Sequence, residues 1–504
     1  MGAMKKLIGC AIAFGLTAAF SLPACCVPGQ PGTLDTTFAV VSPLGSGKFT
    51  AALGSDASFS TGIAIQPDGK ILLSGTCRRG SDYDACVMRI NADGTVDTSF
   101  GIAGRVPSAI TNVQSFAIVL QPDGKFVLAG ACVTSSATVF CAARFQPDGS
   151  VDTSFGAFGR VYTPVGLGSN RQRAAVLQRD GKIVIAGDCL GASNIDFCAV
   201  RYNAFGLPDE SFGANGARVT PIGVGTDRAE AIVVQPDGKL VVAGYCSPLT
   251  NPTDSSLNDT CAVRYNSDGE IDTGFGNSGK VIAPADGIAD RAKAITLQPD
   301  GKIVVVGSCN SRFCLSRYEV NGALDLSFGT NGKVLTNFGN VVDWGPALVV
   351  QPDGKVVISG ICSVSSQNLF CVQRYNDSGS IDPTFGLSGS VTTAMGTEGN
   401  AYSLALQRDG KLIVAGWCTY NNVIQFCAAR YDGGPFGYTS CSMDIDGDGR
   451  VLATTDSLIH TRIALGITGP AVIGGVNFAP NASRNTWPLI RDYLVTQCGM
   501  SLVQ

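Results

Sequence analysis

The string Gln-Pro/Arg-Asp-Gly-Lys limits the fold of this chain more than any other feature, because it occurs seven times. The copies begin at Gln66, Gln121, Gln178, Gln235, Gln298, Gln351 and Gln407. Successive copies are 55, 57, 57, 63, 53 and 56 residues apart. A repeat of this period encodes one supersecondary unit per copy, and neighbouring units must stack to bury their apolar faces. Most of the 504 residues therefore form a repeat array.

Each copy predicts about four short β-strands. The string stands between two apolar runs, and Pro-Asp-Gly between such runs is typical of a tight hairpin turn. A third run such as Phe197-Cys-Ala-Val-Arg-Tyr202 follows, and a second turn leads to Leu/Val/Ile-Asp-Thr-x-Phe-Gly and a short last strand. The runs are almost continuously apolar, which predicts sheets covered on both faces. Stacked four-stranded sheets are the blades of a β-propeller. A β-solenoid is the alternative, although its coils are usually shorter and the array does not close.

The two ends of the array favour closure into a ring. A complete repeat ends with a segment of the type Leu/Val/Ile-Asp-Thr-x-Phe, which we call its closing half. Near the N-terminus, Thr33-Leu-Asp35-Thr-Thr-Phe38 is such a closing half, although no Gln-x-Asp-Gly-Lys string precedes it. The seventh copy runs to Tyr431 and lacks its own closing half. We therefore expect an N-terminal strand to complete the last blade and remove two exposed sheet edges. The prediction is an all-β, seven-bladed propeller over residues 32–434.

The repeat also resembles a known family. Gln-Pro-Asp-Gly-Lys-Ile-Val-Val-x-Gly, Arg-Tyr-Asn-x-Asp-Gly and Leu-Asp-Thr-Ser-Phe-Gly are similar to the delta-60 repeats of secreted bacterial β-propellers, over about four fifths of the chain. The resemblance implies the propeller fold and an extracytoplasmic location. It implies no catalytic residues.

Two charged positions recur in every repeat. The third strand carries Arg89, Arg144, Arg201, Arg264, Arg317, Arg374 and Arg430. The closing half carries Asp35, Asp97, Asp152, Asp209, Asp272, Asp325 and Asp382. We interpret these residues as ion pairs within blades or as turn caps that the scaffold repeats. A ring of charges around a central channel is the alternative.

The chain has 19 Cys and one His, and the cysteines follow the repeat. The expected pairs are Cys77 with Cys86, Cys132 with Cys141, Cys189 with Cys198, Cys246 with Cys261, Cys309 with Cys314, Cys362 with Cys371, and Cys418 with Cys427. Cysteines on either side of a hairpin loop can reach the Cα separation of about 5.5 Å that a disulfide needs. Paired cysteines in such number predict an oxidising compartment. A zinc site needs four ligands, whereas each blade supplies two cysteines and no His. The single His, His460, lies beyond the repeat array, so the propeller can contain no His-based triad, and the chain can form no multi-His metal site.

A candidate ligand site lies where the repeats differ. Eight residues before the Gln of three successive copies stand Asp227, Asp290 and Asp343, followed by Arg228, Arg291 and Trp344. In a ring these positions share one face, and they predict binding of a polar ligand such as a glycan. Solvated loops with local Asp–Arg pairs are the alternative.

This pattern predicts a binding, adhesion or structural surface protein whose partner is a glycan or a cell-surface protein. The alternative is a glycan-active enzyme, since hydrolysis of a glycoside requires two carboxylates about 5–10 Å apart. Asp227, Asp290 and Asp343 are the residues that such an enzyme would use. The net charge of −4 without a basic stripe excludes a nucleic-acid footprint.

Residues 1–26 resemble a secretory signal peptide. Lys5 and Lys6 precede an apolar run from Leu7 to Phe20, and small residues follow. A buried N-terminal helix is the alternative. Leu22-Pro-Ala-Cys25 loosely resembles a lipoprotein cleavage box, so a lipid anchor on Cys25 is a further possibility. No other apolar stretch reaches the length of a membrane-spanning helix, and we expect none in the mature chain.

Residues 441–504 depart from the repeat. Asp444, Asp446 and Asp448 stand at positions one, three and five of a loop with Gly449 at six, which is typical of calcium loops. The segment resembles one half of a dockerin or EF-hand-like module, although position twelve is Thr455 and the acid follows at Asp456. The predicted calcium residues are Asp444, Asp446, Asp448, Arg450 and Asp456. An Asx-rich turn that caps a helix is the alternative.

Two helices are predicted in this C-terminal segment. The first follows the loop over 456–465, and the second begins near Thr486-Trp-Pro, where Pro suits a first turn. Cys441 and Cys498 flank the segment and are expected to pair. A further hypothesis makes this segment a docking or sorting module and the propeller its cargo.

Overall fold

The computed structural model describes most of the repeat array and parts of the C-terminal segment. Within 30–434 it describes every residue except 54–56, 136, 169, 248–257, 284–289, 310–311, 337–339 and 342–345. Beyond 434 it describes 445, 455, 458–459, 462, 469–478, 482 and 484–496. The predicted signal segment, Cys25 and the calcium residues Asp444, Asp446, Asp448, Arg450 and Asp456 lie outside the described residues, as do Cys441 and Cys498.

The described chain forms seven antiparallel sheets in sequence order. A first strand, β1 (Lys48–Ala51), precedes the first complete sheet. The first three sheets contain β2 (Ser58–Ile65), β3 (Ile71–Arg79), β4 (Asp82–Ile90) and β5 (Arg105–Ile110); β6 (Val113–Leu120), β7 (Phe126–Val133), β8 (Thr138–Phe145) and β9 (Arg160–Thr163); and β10 (Arg171–Leu177), β11 (Ile183–Leu190), β12 (Ile195–Tyr202) and β13 (Ala217–Thr220).

The remaining four sheets repeat the arrangement. The fourth and fifth contain β14 (Asp227–Val234), β15 (Leu240–Cys246), β16 (Asp259–Tyr265) and β17 (Lys280–Ala283), then β18 (Asp290–Leu297), β19 (Ile303–Cys309), β20 (Arg312–Tyr318) and β21 (Lys333–Leu335). The sixth and seventh contain β22 (Asn340–Val341), β23 (Ala347–Val350), β24 (Val356–Val364), β25 (Gln367–Tyr375) and β26 (Ser390–Thr393), then β27 (Glu398–Leu406), β28 (Leu412–Tyr420) and β29 (Val423–Tyr431). In the sixth sheet the first strand is divided, and both β22 and β23 pair with β24.

The N-terminal strand closes the seventh sheet, as the offset of the repeats predicts. Strand β1 pairs antiparallel with β29, with Lys48 opposite Ala429 and Ala51 opposite Phe426. Leu34 adds a bridge to Tyr431. The first strands of the seven sheets also pack against one another in a closed ring. The fold is therefore a seven-bladed β-propeller, with one apolar core between each pair of blades.

The repeated Arg and Asp form the ion pairs expected within each blade. The Arg Nε lies 2.6–2.9 Å from the Asp Oδ2 in all seven blades, with Arg430 and Asp35 making the pair that joins the chain's two ends. The Lys of the Gln-x-Asp-Gly-Lys turn lies 2.5–3.6 Å from the same carboxylate. The Asp is thereby bound by two cations, which offsets the cost of burying its charge.

The same Arg also links each blade to the next. Its guanidinium stacks on the Phe of the closing motif, with Arg201 4.7 Å from the Phe212 ring centroid as an example. Its Nη1 donates a hydrogen bond to a backbone carbonyl in the following blade. Arg89 of the first blade donates to Pro147 of the second, and Arg374 of the sixth donates to Gly433 of the seventh. Arg430 of the seventh blade donates to Ala92 of the first, which completes the ring. These contacts hold the blades together. They account for the repeated Arg and Asp without a ring of charges around the central channel.

All seven expected blade disulfides are confirmed, each with a Cα–Cα distance of 5.8 or 5.9 Å. Each joins the second and third strands of one blade beside their hairpin. In chain order the bonds join Cys77 to Cys86, Cys132 to Cys141, Cys189 to Cys198, Cys246 to Cys261, Cys309 to Cys314, Cys362 to Cys371, and Cys418 to Cys427. In the chain-entropy account a loop of this size contributes about 2–3 kcal/mol to stability. Seven disulfides indicate an oxidising compartment.

A complete C-terminal helical module is not established. The described part contains a 3-10 helix, Gly469–Ile473, and one short α-helix, α1 (Trp487–Thr496), whose start matches the predicted second helix. The predicted first helix falls largely outside the described residues. Ile445, Ile459, Val472, Ile490 and Leu494 form a small buried cluster.

Candidate functional site

The first strand of each blade begins at the end of the propeller opposite the Gln-x-Asp-Gly-Lys turns. At this end it lies beside the last residues of the second strand, just before the disulfide cysteine. In the fourth blade, for example, Arg228 is opposite Tyr245 and Asp227 is opposite Cys246. The side chains at these positions change from blade to blade, whereas the Arg–Asp–Lys network at the other end occurs in every blade. The side chains that distinguish one blade from another therefore lie at this end of the propeller.

Blades three to five carry a concentration of charge here, which we call the charged arc. Its residues are Arg171, Arg173, Asp188, Arg228, Glu230, Tyr245, Arg291 and Lys293. The ladder between the first and second strands slips at Arg173, Glu230 and Lys293, so each of the three occupies a β-bulge. A bulge re-aims a side chain relative to the regular pleat. The bulges thus bring a second charged side chain from each first strand into the arc.

Ion pairs connect the arc across blade boundaries. Arg228 Nη1 of the fourth blade lies 3.4 Å from Asp188 Oδ2 of the third. Arg173 Nε lies 3.7 Å from Asp188 Oδ1 and 3.9 Å from Glu230 Oε2. Lys293 Nζ of the fifth blade lies 3.1 Å from Glu230 Oε1. The three blades therefore share one continuous network.

Tyr245 stands beside this network and is approached by two cations. Its ring centroid is 5.3 Å from the Arg291 guanidinium carbon and 5.6 Å from Lys293 Nζ. Both distances suit cation–π attraction. Burial raises the pKa of Tyr245, and the Glu230 carboxylate adds to the rise. Tyr245 is therefore a neutral phenol at physiological pH, and its ring helps to position the cations.

Asp188 is the most deeply buried group of the arc, with a side chain only 1% exposed. Burial raises its pKa to about 6, while the charges of Arg173 and Arg228 oppose the rise. Its Oδ1 accepts no hydrogen bond from the described residues. Asp188 is thus an acid that changes charge near neutral pH next to several cations.

The predicted ligand residues separate into groups. Arg228 and Arg291 lie in the charged arc. Asp227 does not, because adjacent residues on a strand point to opposite faces. Its side chain is fully buried, and Oδ2 accepts hydrogen bonds from the backbone N–H of Ile222 at 2.6 Å and of Gly223 at 3.0 Å. Asp227 therefore fixes the loop that enters the fourth blade.

The other predicted residues are less fully described. Asp290 begins β18, and its side chain is outside the description. Asp343 and Trp344 lie outside the described residues. Alignment of the repeats missed Arg173, Asp188, Glu230, Tyr245 and Lys293, although all five also stand where the copies differ. A comparison of the residues five before each Gln, and just before each second-strand Cys, would have found them.

Blades seven and one place aromatic side chains at the equivalent positions, and we call Phe59, Tyr402 and Trp417 the aromatic arc. The ring centroids of Phe59 and Trp417 are 5.5 Å apart at an interplanar angle of 85°. Burial raises the pKa of Tyr402, and the nearby Trp417 side chain opposes the rise. All three side chains are partly exposed. In a ring of seven blades, this arc faces the charged arc across the centre.

The described residues contain no group of three or more His, Cys, Asp or Glu side chains that could hold a metal ion. The described helices include none that is long and apolar enough to cross a membrane.

Seven stretches of the chain match a family model described as "Domain of unknown function (DUF5122) beta-propeller". They cover residues 66–100, 121–155, 178–212, 235–275, 298–328, 351–385 and 407–433. Each stretch begins at the Gln of one repeat, so the sequence repeats and the seven blades fit one propeller repeat family. Among curated proteins, no relative matches this chain.

Several solved structures are similar at low sequence identity. A catalytically inactive virginiamycin B lyase from Staphylococcus aureus with quinupristin has 11% identity and a TM-score of 0.44, covering 76% of this chain and 98% of its own. A PL25 ulvanlyase bound to -[GlcA(1-4)Rha3S]- has 10% identity and a TM-score of 0.43, with 76% and 96% covered. A protein from Lactobacillus plantarum has 13% identity and a TM-score of 0.39, with 66% and 86% covered. Likenesses of this degree carry no argument about what this chain does.

Proposed function

We propose that this protein is an extracytoplasmic binding protein whose ligand surface is the charged arc of blades three to five. One observation carries the proposal: the network that joins Arg228, Asp188 and Arg173 occurs at positions that differ among the seven copies. The propeller is held together by a different network, present in every blade. Ion pairs that the scaffold does not require, with a buried acid among them, are typical of functional sites.

The partner class remains the one expected from the sequence, a glycan or a cell-surface protein. The seven disulfides support export, because such bonds form and persist in oxidising compartments. Residues 1–26 would direct that export, with or without a lipid on Cys25. The repeat pattern and the matched propeller family support kinship with delta-60 repeats.

The test compares two single variants for retention on polysaccharide and cell-envelope fractions. Arg228→Gln removes a cation from the charged arc. Arg179→Gln, in the exposed turn between β10 and β11, removes one at the opposite end of the propeller and is the control. We expect Arg228→Gln to lose retention and Arg179→Gln to keep it. Equal retention of both variants would refute the arc as the binding surface.

A carboxylate-based glycan-active enzyme is the second candidate, and Asp188 favours it. A carboxyl group with a pKa of about 6 can act as a general acid or base near neutral pH. The Arg228 and Arg173 guanidinium groups could stabilise negative charge beside it. Release of new reducing ends from a polysaccharide by wild type, and its loss in Asp188→Asn, would support this activity. No release from any retained polysaccharide would exclude it.

We also propose that the C-terminal segment binds calcium through the carboxylates of Asp444, Asp446, Asp448 and Asp456 and the backbone carbonyl of Arg450, as its sequence indicates. A chelator should then lower the melting temperature of this segment in wild type and leave Asp444→Ala unchanged. An unchanged wild-type melting temperature would refute the calcium site. Export and surface retention of a chain lacking 441–504 would exclude the docking or sorting role.

A further inference from the structure

We infer that the ligand is an acidic polysaccharide, whose carboxylate or sulfate groups bind the charged arc while its sugar faces pack on the aromatic arc. This inference rests on the proposed function and names the ligand class of that same site. It is carried by the arrangement of the two arcs at one end of the ring.

The charged arc selects for negative charge. It contains five cationic side chains, from Arg171, Arg173, Arg228, Arg291 and Lys293, and two carboxylates, from Asp188 and Glu230. The whole chain has a formal net charge of −4, so this local excess of cations does not reflect overall composition. Four of the five cations are arginines, whose planar guanidinium groups bind carboxylate and sulfate with paired hydrogen bonds.

The arc still has donor capacity for a ligand. Arg171 is exposed. Its charge opposes the rise in the pKa of Asp188, although Arg171 forms none of the ion pairs described for the arc. Arg173 and Arg228 are held by contacts of 3.4–3.9 Å, longer than a strong charge-assisted hydrogen bond. An incoming anion can therefore take N–H groups that the internal carboxylates leave incompletely satisfied.

The extent of the arc favours a polymer over a small anion. It covers three consecutive blades, and packed sheets lie about 10 Å apart. A single carboxylate, sulfate or phosphate reaches the cations of one or two blades at most. A chain with regularly spaced anionic groups can engage all three, and its several weak contacts add through high effective concentration.

The aromatic arc favours sugar over an acidic peptide. Phe59 and Trp417 are partly exposed and nearly perpendicular, with ring centroids 5.5 Å apart, and this contact orients the indole. The rings of Tyr402 and Trp417 combine an apolar face with a polar O–H or N–H at the edge, and Phe59 adds a wholly apolar face. A sugar ring offers C–H groups on its faces and hydroxyls at its edges, which complements this surface. A polyglutamate chain has no such faces.

The experiment measures dissociation constants of the full chain for five probes at constant ionic strength. The probes are polygalacturonate, its fully methyl-esterified form, dextran sulfate, unmodified dextran and poly-L-glutamate. The two matched pairs isolate charge on a constant sugar backbone, and they distinguish carboxylate from sulfate as the recognised group. Each probe is tested against wild type, the double variant Arg171→Gln with Arg291→Gln, Trp417→Ala and the Arg179→Gln control.

We expect polygalacturonate or dextran sulfate to bind at least tenfold more tightly than its neutral partner. Loss of one charge-assisted contact corresponds to about tenfold in affinity, so the double variant should weaken binding by about a hundredfold. Trp417→Ala should weaken the acidic polysaccharide and leave any poly-L-glutamate binding unchanged. Arg179→Gln should match wild type. Circular dichroism of each variant must match wild type for the comparison to count.

Three outcomes would overturn the inference. Equal affinity for poly-L-glutamate and the acidic polysaccharides, unaffected by Trp417→Ala, would mean that the site recognises charge without sugar. Preference for a neutral polysaccharide, weakened by the double variant, would leave the binding surface in place and refute the acidic class. Binding of any probe that the double variant does not weaken would refute both the class and the proposed surface.

Discussion

Arg228 of the fourth blade lies against Asp188 of the third, with Nη1 3.4 Å from Oδ2. The carboxylate is buried, whereas the guanidinium is partly exposed. The pair therefore links a buried acid to a cation that a ligand can reach. On the proposed function, protonation of the acid and binding of an anion would act on the same guanidinium, so we expect the two events to be coupled.

Binding of a polyanion should tighten as the pH falls from 7 to 5. The pKa of Asp188 is raised to about 6, so the group is ionised above that pH and neutral below it. Arg171, Arg173, Arg228 and Glu230 surround Asp188, and its protonation leaves the cations less neutralised. Dextran sulfate keeps its charge over this range and is the appropriate probe. We expect a several-fold gain in affinity, measured by calorimetry.

The matched variant for this prediction is Asp188→Asn. It should bind dextran sulfate at pH 7 as wild type does at pH 5, and its affinity should not change between the two. A wild-type affinity that is independent of pH, or an Asp188→Asn affinity that still changes, would contradict the coupling.

Arg201→Met should destabilise the propeller far more than Arg218→Met, although both residues belong to the third blade. Arg201 is buried, pairs with Asp209 at 2.8 Å and reaches the carbonyl of Ser267 in the next blade. Removing one partner of a buried pair costs about 3–5 kcal/mol. Arg218 pairs with an exposed Glu270, and a surface pair contributes at most about 1 kcal/mol. Urea unfolding of the two variants measures the difference, and equal losses would refute the scaffold role.

The propeller should lose stability as the pH falls from about 4 towards 2. Burial would raise the pKa of Asp209, but hydrogen bonds from Ser211 and the charge of Arg201 lower it to about 2. Burial likewise opposes the shift at Asp35, where hydrogen bonds from Lys411 and Thr37 lower the pKa to about 2. A carboxylate with a lowered folded pKa stabilises the protein above its unfolded pKa, and this stability disappears on protonation. Chemical unfolding at pH 5, 4, 3 and 2.5 should show the decline.

Asp209→Asn provides the control for acid stability. The variant should be less stable than wild type at pH 5, and the gap should narrow as the pH approaches 2, because wild-type Asp209 then becomes neutral as well. A gap that stays constant across this range would contradict the assignment of acid sensitivity to these carboxylates.

Phe49→Ala should weaken ring closure. Phe49 lies on the four-residue strand β1, is buried, and packs in the core between the seventh and first blades. Truncation of a buried Phe typically costs about 3–5 kcal/mol. Loss of β1 would also expose the edges of β29, which favours association between chains. Thermal unfolding and size-exclusion chromatography should show a lower melting temperature and oligomers, whereas Val41→Ala at an exposed site should behave as wild type.

The sequence predicts the scaffold well because every scaffold contact repeats. The Gln-x-Asp-Gly-Lys spacing gives the blade count, the unpaired Thr33–Phe38 half gives the closure, and the cysteine pattern gives the seven disulfides. Because each of these patterns recurs in the copies of the repeat, it can be distinguished from a chance occurrence in the sequence. The structure adds the link from each Arg to the following blade, which depends on how neighbouring sheets stack and has no signature within a single repeat.

The charged arc is harder to predict from the sequence, because its residues come together across blades. Alignment of the repeats identified Arg228 and Arg291 but placed Asp227 beside them, whereas strand alternation directs Asp227 into the loop before it. Glu230 and Lys293 join the arc through β-bulges, which shift the alternation by one residue. Asp188 reaches Arg228 only through the packing of the third blade on the fourth. Bulge position and blade packing are properties of the folded ring.

The most direct measurement is hydrogen–deuterium exchange of the full chain, with and without a saturating acidic polysaccharide. We expect added protection at the start of β10, β14 and β18, with the Gln-x-Asp-Gly-Lys turns at the opposite end unchanged. The chain that carries both Arg171→Gln and Arg291→Gln should lose this protection. Protection at the turns, or protection spread equally over all seven blades, would contradict the charged arc as the ligand surface.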